Sequence, residues 1–198
     1  MDITTEMIKK LRQATGVGIM DSREALKQTN GDYDQAVVYL REKGLAKAAK
    51  TAERAAHDGV IGSYIHHNNR VAVLVEVNSE TDFVARTPDF GALAQNLAMH
   101  VAMANPRYLK PEDIPADVLE AERANYRIEA EGSGKPANVV EKIVAGKLEK
   151  FYDDVCLLRQ AYIKDDKLRV NDLVAQAVAR LGENIVVRRF VRYEIGGE

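Results

Sequence analysis

Residues able to do chemistry are sparse in this chain. The four histidines are His57, His66, His67 and His100. His66 and His67 are adjacent, so on an extended segment their rings would point to opposite faces. Neither has a further ligand at a spacing that completes a metal shell, and both read as exposed turn residues. Cys156 is the sole cysteine, which excludes an intrachain disulfide and leaves a cysteine zinc site without ligands. Its neighbours Leu157 and Leu158 suit a buried apolar thiol. Gly132-Ser133-Gly134-Lys135 has the outline of a phosphate loop. Such a loop needs a glycine five positions before the Gly-Lys pair and a hydroxyl after it. Glu129 and Pro136 hold those places, so a helix break is the better reading. No Ser/His/Asp or Cys/His grouping has distinctive sequence around it. The expectation is a chain with no catalytic residue, no metal site and no cofactor.

One segment stands apart. Asn78-Ser79-Glu80-Thr81-Asp82-Phe83-Val84-Ala85-Arg86 follows a valine-rich run and precedes Thr87-Pro88-Asp89. A strand end meeting a helix start places side chains at the tip of a domain. Phe83, one of four phenylalanines in a chain without tryptophan, has two readings there. It can be an exposed aromatic anchor for another molecule, or it can fold back into its own core while Asp82 caps a turn.

The elements that position this segment follow from periodicity. Met7, Ile8, Leu11 and Ala14 recur at helical spacing behind Thr4-Thr5, and Gly16 stops the pattern. Asp21-Ser22-Arg23-Glu24 reads as the cap of a second helix, which Asn30-Gly31 breaks. A third helix starts near Asp32, shows Tyr33, Ala36, Val37 and Leu40 on one face, and is expected to end at Gly44. Leu45 to Ala56 is alanine-rich with interleaved Lys47, Lys50 and Arg54. It reads as a helical bridge with a solvated basic face.

Val60 to Ile65 and Val71 to Asn78 form a hairpin turning at His66 to Asn69, with Val71, Val73, Val75 and Val77 on one face. Thr87-Pro88 starts a helix through Phe90, Leu93, Ala94, Leu97, Ala98 and Val101. A loop from Arg107 to Pro115, a polar helix from Ala116 to Glu131 and a helix carrying Val139, Val140, Ile143, Val144 and Leu148 follow. Val155 to Lys167 has no clear period: strand, helix and interface arm all stay open. A last helix, Val170 to Leu181, stops at Gly182. Ile185, Val187, Val191, Tyr193 and Ile195 then alternate as a half-buried strand that must join the early hairpin. The fold class is therefore α+β, a three-helix N-terminal bundle (1–52) followed by a core (53–198) with a small antiparallel three-stranded sheet packed on helices.

Composition narrows the partners. The 198 residues carry 28 Lys+Arg and 30 Asp+Glu, a net charge of -2. That balance leans against nucleic acid and anionic membranes, both of which call for a basic face. The longest strongly apolar run, Val71 to Val75, falls far short of the ~20 residues that span a bilayer. Asp2 and Glu6 do not suit a secretory signal. A reducing, cytoplasmic compartment is expected.

Thr15-Gly16-Val17-Gly18-Ile19-Met20-Asp21, Lys47-Ala48-Ala49-Lys50, Asp58-Gly59-Val60-Ile61, Glu80-Thr81-Asp82-Phe83-Val84-Ala85, Glu141-Lys142-Ile143-Val144 and Val155-Cys156-Leu157-Leu158 together resemble the bacterial elongation factor Ts family. The likeness runs in order along essentially the whole chain. It implies guanine-nucleotide exchange on elongation factor Tu, a GTPase, by a factor with no active site of its own. It also implies a ubiquitin-associated-like N-terminal bundle that docks through Arg12, Val17, Gly18, Ile19 and Met20. Thr81, Asp82, Phe83 and Val84 match the segment that pushes between helices of the GTPase and disturbs its Mg²⁺ site. There Phe83 is the anchor, and Asp82 either orders the tip or perturbs the metal's water shell. Many family members carry a longer core with two related subdomains. This chain resembles the short form, ending at Glu198, so a noncovalent homodimer is expected to restore the two-lobed surface. An RNA-binding module using Lys47 to Arg54 with Arg188, Arg189 and Arg192 is the alternative from another class; the near-neutral charge is against it.

Overall fold

The computed structural model describes residues 3–132 and 134–197; Ser133 of the glycine loop lies outside them. Helices α1 (Thr5–Thr15), α2 (Ile19–Gln28) and α3 (Tyr33–Thr51) form the N-terminal bundle. Thr4 Oγ1 accepts the Met7 amide at 3.3 Å, and Gly16 closes α1 in the left-handed region at φ 70°, where a side chain would be strained. Helix α2 begins earlier than its expected Asp21 cap, with Gly18 as the cap residue. The buried Ser22 hydroxyl turns back to the Gly18 carbonyl at 3.0 Å. Asp21 lies in the first turn and pairs with Lys43 at 2.9 Å; this hydrogen bond raises the lysine's pKa. Leu11, Val17, Ala25, Leu26, Ala36 and Leu40 make the small core.

Gly44 does not end the third helix. α3 continues to Thr51, because the alanine-rich stretch beyond Gly44 propagates a helix well enough to carry one glycine, a cost of about 1 kcal/mol. Tertiary contact adds to this. Ala48 packs on the main core, Lys47 Nζ donates to the Ala179 carbonyl at 2.7 Å, and Arg41 pairs with the buried Asp172.

Strands β1 (Asp58–Ile65) and β2 (Val71–Ser79) form the expected hairpin. A four-residue helix, α4 (Asp82–Ala85), leads into α5 (Pro88–Ala104). Thr87 caps α5 through the Phe90 amide at 3.3 Å. The hairpin α6 (Ala116–Glu131) and α7 (Ala137–Val155) has its own core of Ala130, Val140, Val144 and Leu148. The untyped stretch resolves into a 3₁₀ turn (Leu157–Arg159) and two short strands, β3 (Ala161–Tyr162) and β4 (Asp165–Arg169). Its buried partner is His100: Nε2 lies 3.0 Å from Gln160 Oε1, and Nδ1 accepts the Ile163 amide at 3.3 Å. Burial lowers the histidine's pKa. Helix α8 (Val170–Leu181) ends at Gly182, φ 84°, and strand β5 (Val186–Glu194) follows.

The three-stranded sheet has the order β1-β2-β5. Val73, Val75 and Val77 face inward against Phe90, Leu93, Leu97 and Val101 of α5 and Val174 and Val178 of α8. The alternation expected from Ile185 to Ile195 holds only for its first part. Glu76 pairs with Arg189 but Val77 pairs with Val187, so Arg188 is an extra residue. A bulge of this kind reverses which side chains face the core. Ile185 and Val187 are buried, whereas Val191, Tyr193 and Ile195 are exposed, and Phe190 packs inward instead.

Candidate functional site

The tip lies between β2 and α5. Four residues are too few for a helix to sustain itself, so α4 depends on its ends. At the first end Thr81 caps it, its hydroxyl accepting the Val84 amide at 3.4 Å. At the other, the Thr87 hydroxyl donates to the Val84 carbonyl at 2.8 Å. Ala85 is buried and Val84 packs on the main core. Phe83 points the other way and is 82% exposed. Of its two readings, the outward one is the geometry observed. Asp82 pairs with Arg86 one turn on, at 2.8 Å.

Two residues that periodicity does not single out hold the tip's base. Glu183 accepts the Thr81 amide at 3.0 Å on one oxygen and the Thr81 hydroxyl at 2.6 Å on the other. Asn184 donates its amide to Glu80 Oε1 at 2.6 Å. Their only trace in the sequence is position, directly after the Gly182 stop.

The bundle presents a second apolar point. Ile19 and Met20 are 57% and 73% exposed at the start of α2, beside exposed Gly18, and Arg12 is exposed in the last turn of α1. Val17 is buried in the bundle core, where it anchors the turn.

Several of the remaining chemistry-bearing residues have partners of their own. His66 Nδ1 lies 3.1 Å from the Tyr64 hydroxyl. The His66 and His67 rings sit 4.2 Å apart rather than on opposite faces, because the chain leaves the strand at Ile65. Among the described residues no group of three or more His, Cys, Asp or Glu could hold a metal. Arg189 pairs with Glu76 and Arg192 with Glu194, which lowers the positive charge an RNA would meet.

Cys156 is fully buried, and burial pushes its thiol up to about 11. The thiolate is the reactive form. Its fraction near pH 8 is therefore roughly a hundredfold below that of an ordinary cysteine. A disulfide reagent should leave native protein unlabelled over the minutes in which urea-unfolded protein reacts fully. Equal labelling of the two would contradict the burial.

These features define an interaction scaffold, a folded body that presents outward-facing apolar residues on held turns. A family model described as Elongation factor TS matches residues 3–197. Elongation factor Ts of Fervidobacterium nodosum is 52% identical over 99% of this chain and 100% of its own length. That of Herpetosiphon aurantiacus is 54% identical over 99% of both, and that of Carboxydothermus hydrogenoformans 52% identical over 98% of this chain and 89% of its own. The chain belongs to the elongation factor Ts family, elongation factors of protein synthesis.

Proposed function

We propose that the chain is a guanine-nucleotide exchange factor for elongation factor Tu. It binds the GDP form, disturbs the Mg²⁺ site and promotes GDP release so that GTP can bind. The observation that carries this reading is Phe83, an exposed phenyl ring on a turn fixed at both ends. Such a ring gains its burial energy only on a partner. Thr81, Asp82, Phe83 and Val84 form the intruding segment. The Asp82–Arg86 ion pair favours the tip-ordering role for Asp82. Arg12, Gly18, Ile19 and Met20 form the docking surface, with Val17 beneath it. Residues 1–52 are then the docking domain and 53–198 the α+β core.

Mg²⁺ bridges protein and phosphates with strict octahedral geometry, so a small shift of its supporting loops loosens GDP strongly. The coupling is reciprocal: nucleotide weakens the factor's hold by the same factor. No bond is made or broken, so the chain acts as a non-enzymatic factor. Release of labelled GDP from elongation factor Tu tests this; an unchanged rate with wild type present overturns it.

Translation places this work in the cytoplasm, and no described helix is long and apolar enough to cross a membrane. The pairing of two chains is supported by the outer sheet face. Ile61, Ile65, Leu74, Val191 and Tyr193 are exposed there, on neighbouring strands in register. An apolar patch of this kind can meet its own copy across a two-fold axis. Light scattering should give twice the chain mass, and Leu74→Glu should halve it. A wild type of single-chain mass would refute the dimer.

A further inference from the structure

We propose that Glu183 is the positioning residue for the Thr81–Val84 tip. This rests on the reading of that tip as the segment that acts on the partner. A side chain that must displace another protein's loops has to be held against the reaction force, and α4 cannot supply that rigidity from its own four residues. The bracing comes from outside the segment. Gly182 reverses the chain at φ 84° and delivers Glu183 to the base of the tip.

Both carboxylate oxygens are then used on one residue, the amide of Thr81 at 3.0 Å and its hydroxyl at 2.6 Å. Hydrogen bonds to a charged acceptor are the stronger kind. The hydroxyl has one proton to give. Giving it to Glu183 leaves its lone pairs for the Val84 amide, so the same contact sets the cap of α4. Ser79 adds a hydroxyl bond to the Thr81 carbonyl at 2.9 Å.

The loop that carries Glu183 is itself fixed. Asn184 is 5% exposed. Its amide donates to Glu80 Oε1, and its side chain donates to the Arg54 carbonyl at 2.7 Å. Arg54 in turn reaches Glu80 at 3.4 Å. The residues after α3, the turn after α8 and the base of the tip therefore meet in one polar knot. Glu183 is its member that touches Thr81. Thr87 and the packing of Val84 and Ala85 hold the far end of α4, and the near end is held at Thr81 by Glu183.

The test compares Glu183→Ala, Glu183→Gln and Phe83→Ala in two measurements. Amide hydrogen exchange of the free protein reads the brace directly. Glu183→Ala should speed exchange of Thr81 and Val84 about tenfold or more while β1 and β2 amides keep wild-type protection. Glu183→Gln, which keeps one acceptor for the Thr81 amide, should restore most of it. In GDP release from elongation factor Tu, Glu183→Ala should cut the rate at saturating factor about tenfold. Its half-saturating concentration should stay within about threefold of wild type, since the bundle surface is untouched. Unchanged tip protection, or a wild-type saturating rate, overturns the positioning role. If Phe83→Ala slows release and Glu183→Ala does not, the brace fails and the tip reading survives. If Phe83→Ala exchanges like wild type, the tip reading fails first.

Discussion

Phe83→Ala should fold like wild type and lose most exchange activity. The ring is 82% exposed, so removing it takes no packing from the core, and a change within about 0.5 kcal/mol of wild-type stability is expected. Under the proposed exchange role the same ring is an aromatic anchor on the partner. Truncation of such an anchor costs about 2 kcal/mol or more, which is about thirtyfold or more in the rate of GDP release. Stopped-flow release of a fluorescent GDP analogue, with the factor saturating, reads this directly. Met20→Ala offers the contrast: a docking residue should raise the half-saturating concentration and leave the saturating rate near wild type. A Phe83→Ala protein that releases GDP at the wild-type rate would end the assignment of the tip.

A large loss of stability is expected at Gly62, which lies on strand β1 with its side turned toward α5. Strand β1 crosses α5 so closely there that an added Cβ would stand 2.6 Å from the Ala94 carbonyl carbon and 3.0 Å from the Ala94 side chain. Both are backbone-anchored, and α5 cannot retreat, because Phe90 and Leu97 on it are fully buried. Gly62→Ala therefore forces the sheet and the helix apart, and overpacking of this type costs about 3 kcal/mol or more. Urea denaturation should show a lower midpoint with an unchanged slope. A midpoint equal to wild type would mean that β1 does not lie on α5 at this distance.

Much of the architecture is legible because local and global signals agree. Thr4 and Gly16, and Thr87 and Pro88, reflect capping chemistry that acts within a few residues. The valine alternation in β2 is equally local. Failures come where a distant partner decides. Gly44 looks like a stop, yet α8 and the alanine-rich continuation keep the helix going. The Arg188 bulge is set by register with β2, and its trace in the sequence is Arg189, which interrupts the apolar alternation. The stretch around Leu157 and Tyr162 lacks a period because its order comes from Gln160 and Ile163 meeting the buried His100. In the site, the Thr81–Val84 segment stands out by its residue types. Whether Phe83 turns in or out does not, and neither does Glu183, which lies 102 residues from its partner Thr81.

The Arg188 bulge also bears on the exposed edge of the sheet. Strands β1 and β5 are the free rims of the sheet, and an uncovered rim beside an apolar face invites fibrous stacking. On β5 the rim is kinked where Arg188 and Arg189 stand exposed side by side. A bent, charged rim makes a poor template for another strand. The β5 rim therefore disfavours strand addition while the outer face of the sheet stays apolar.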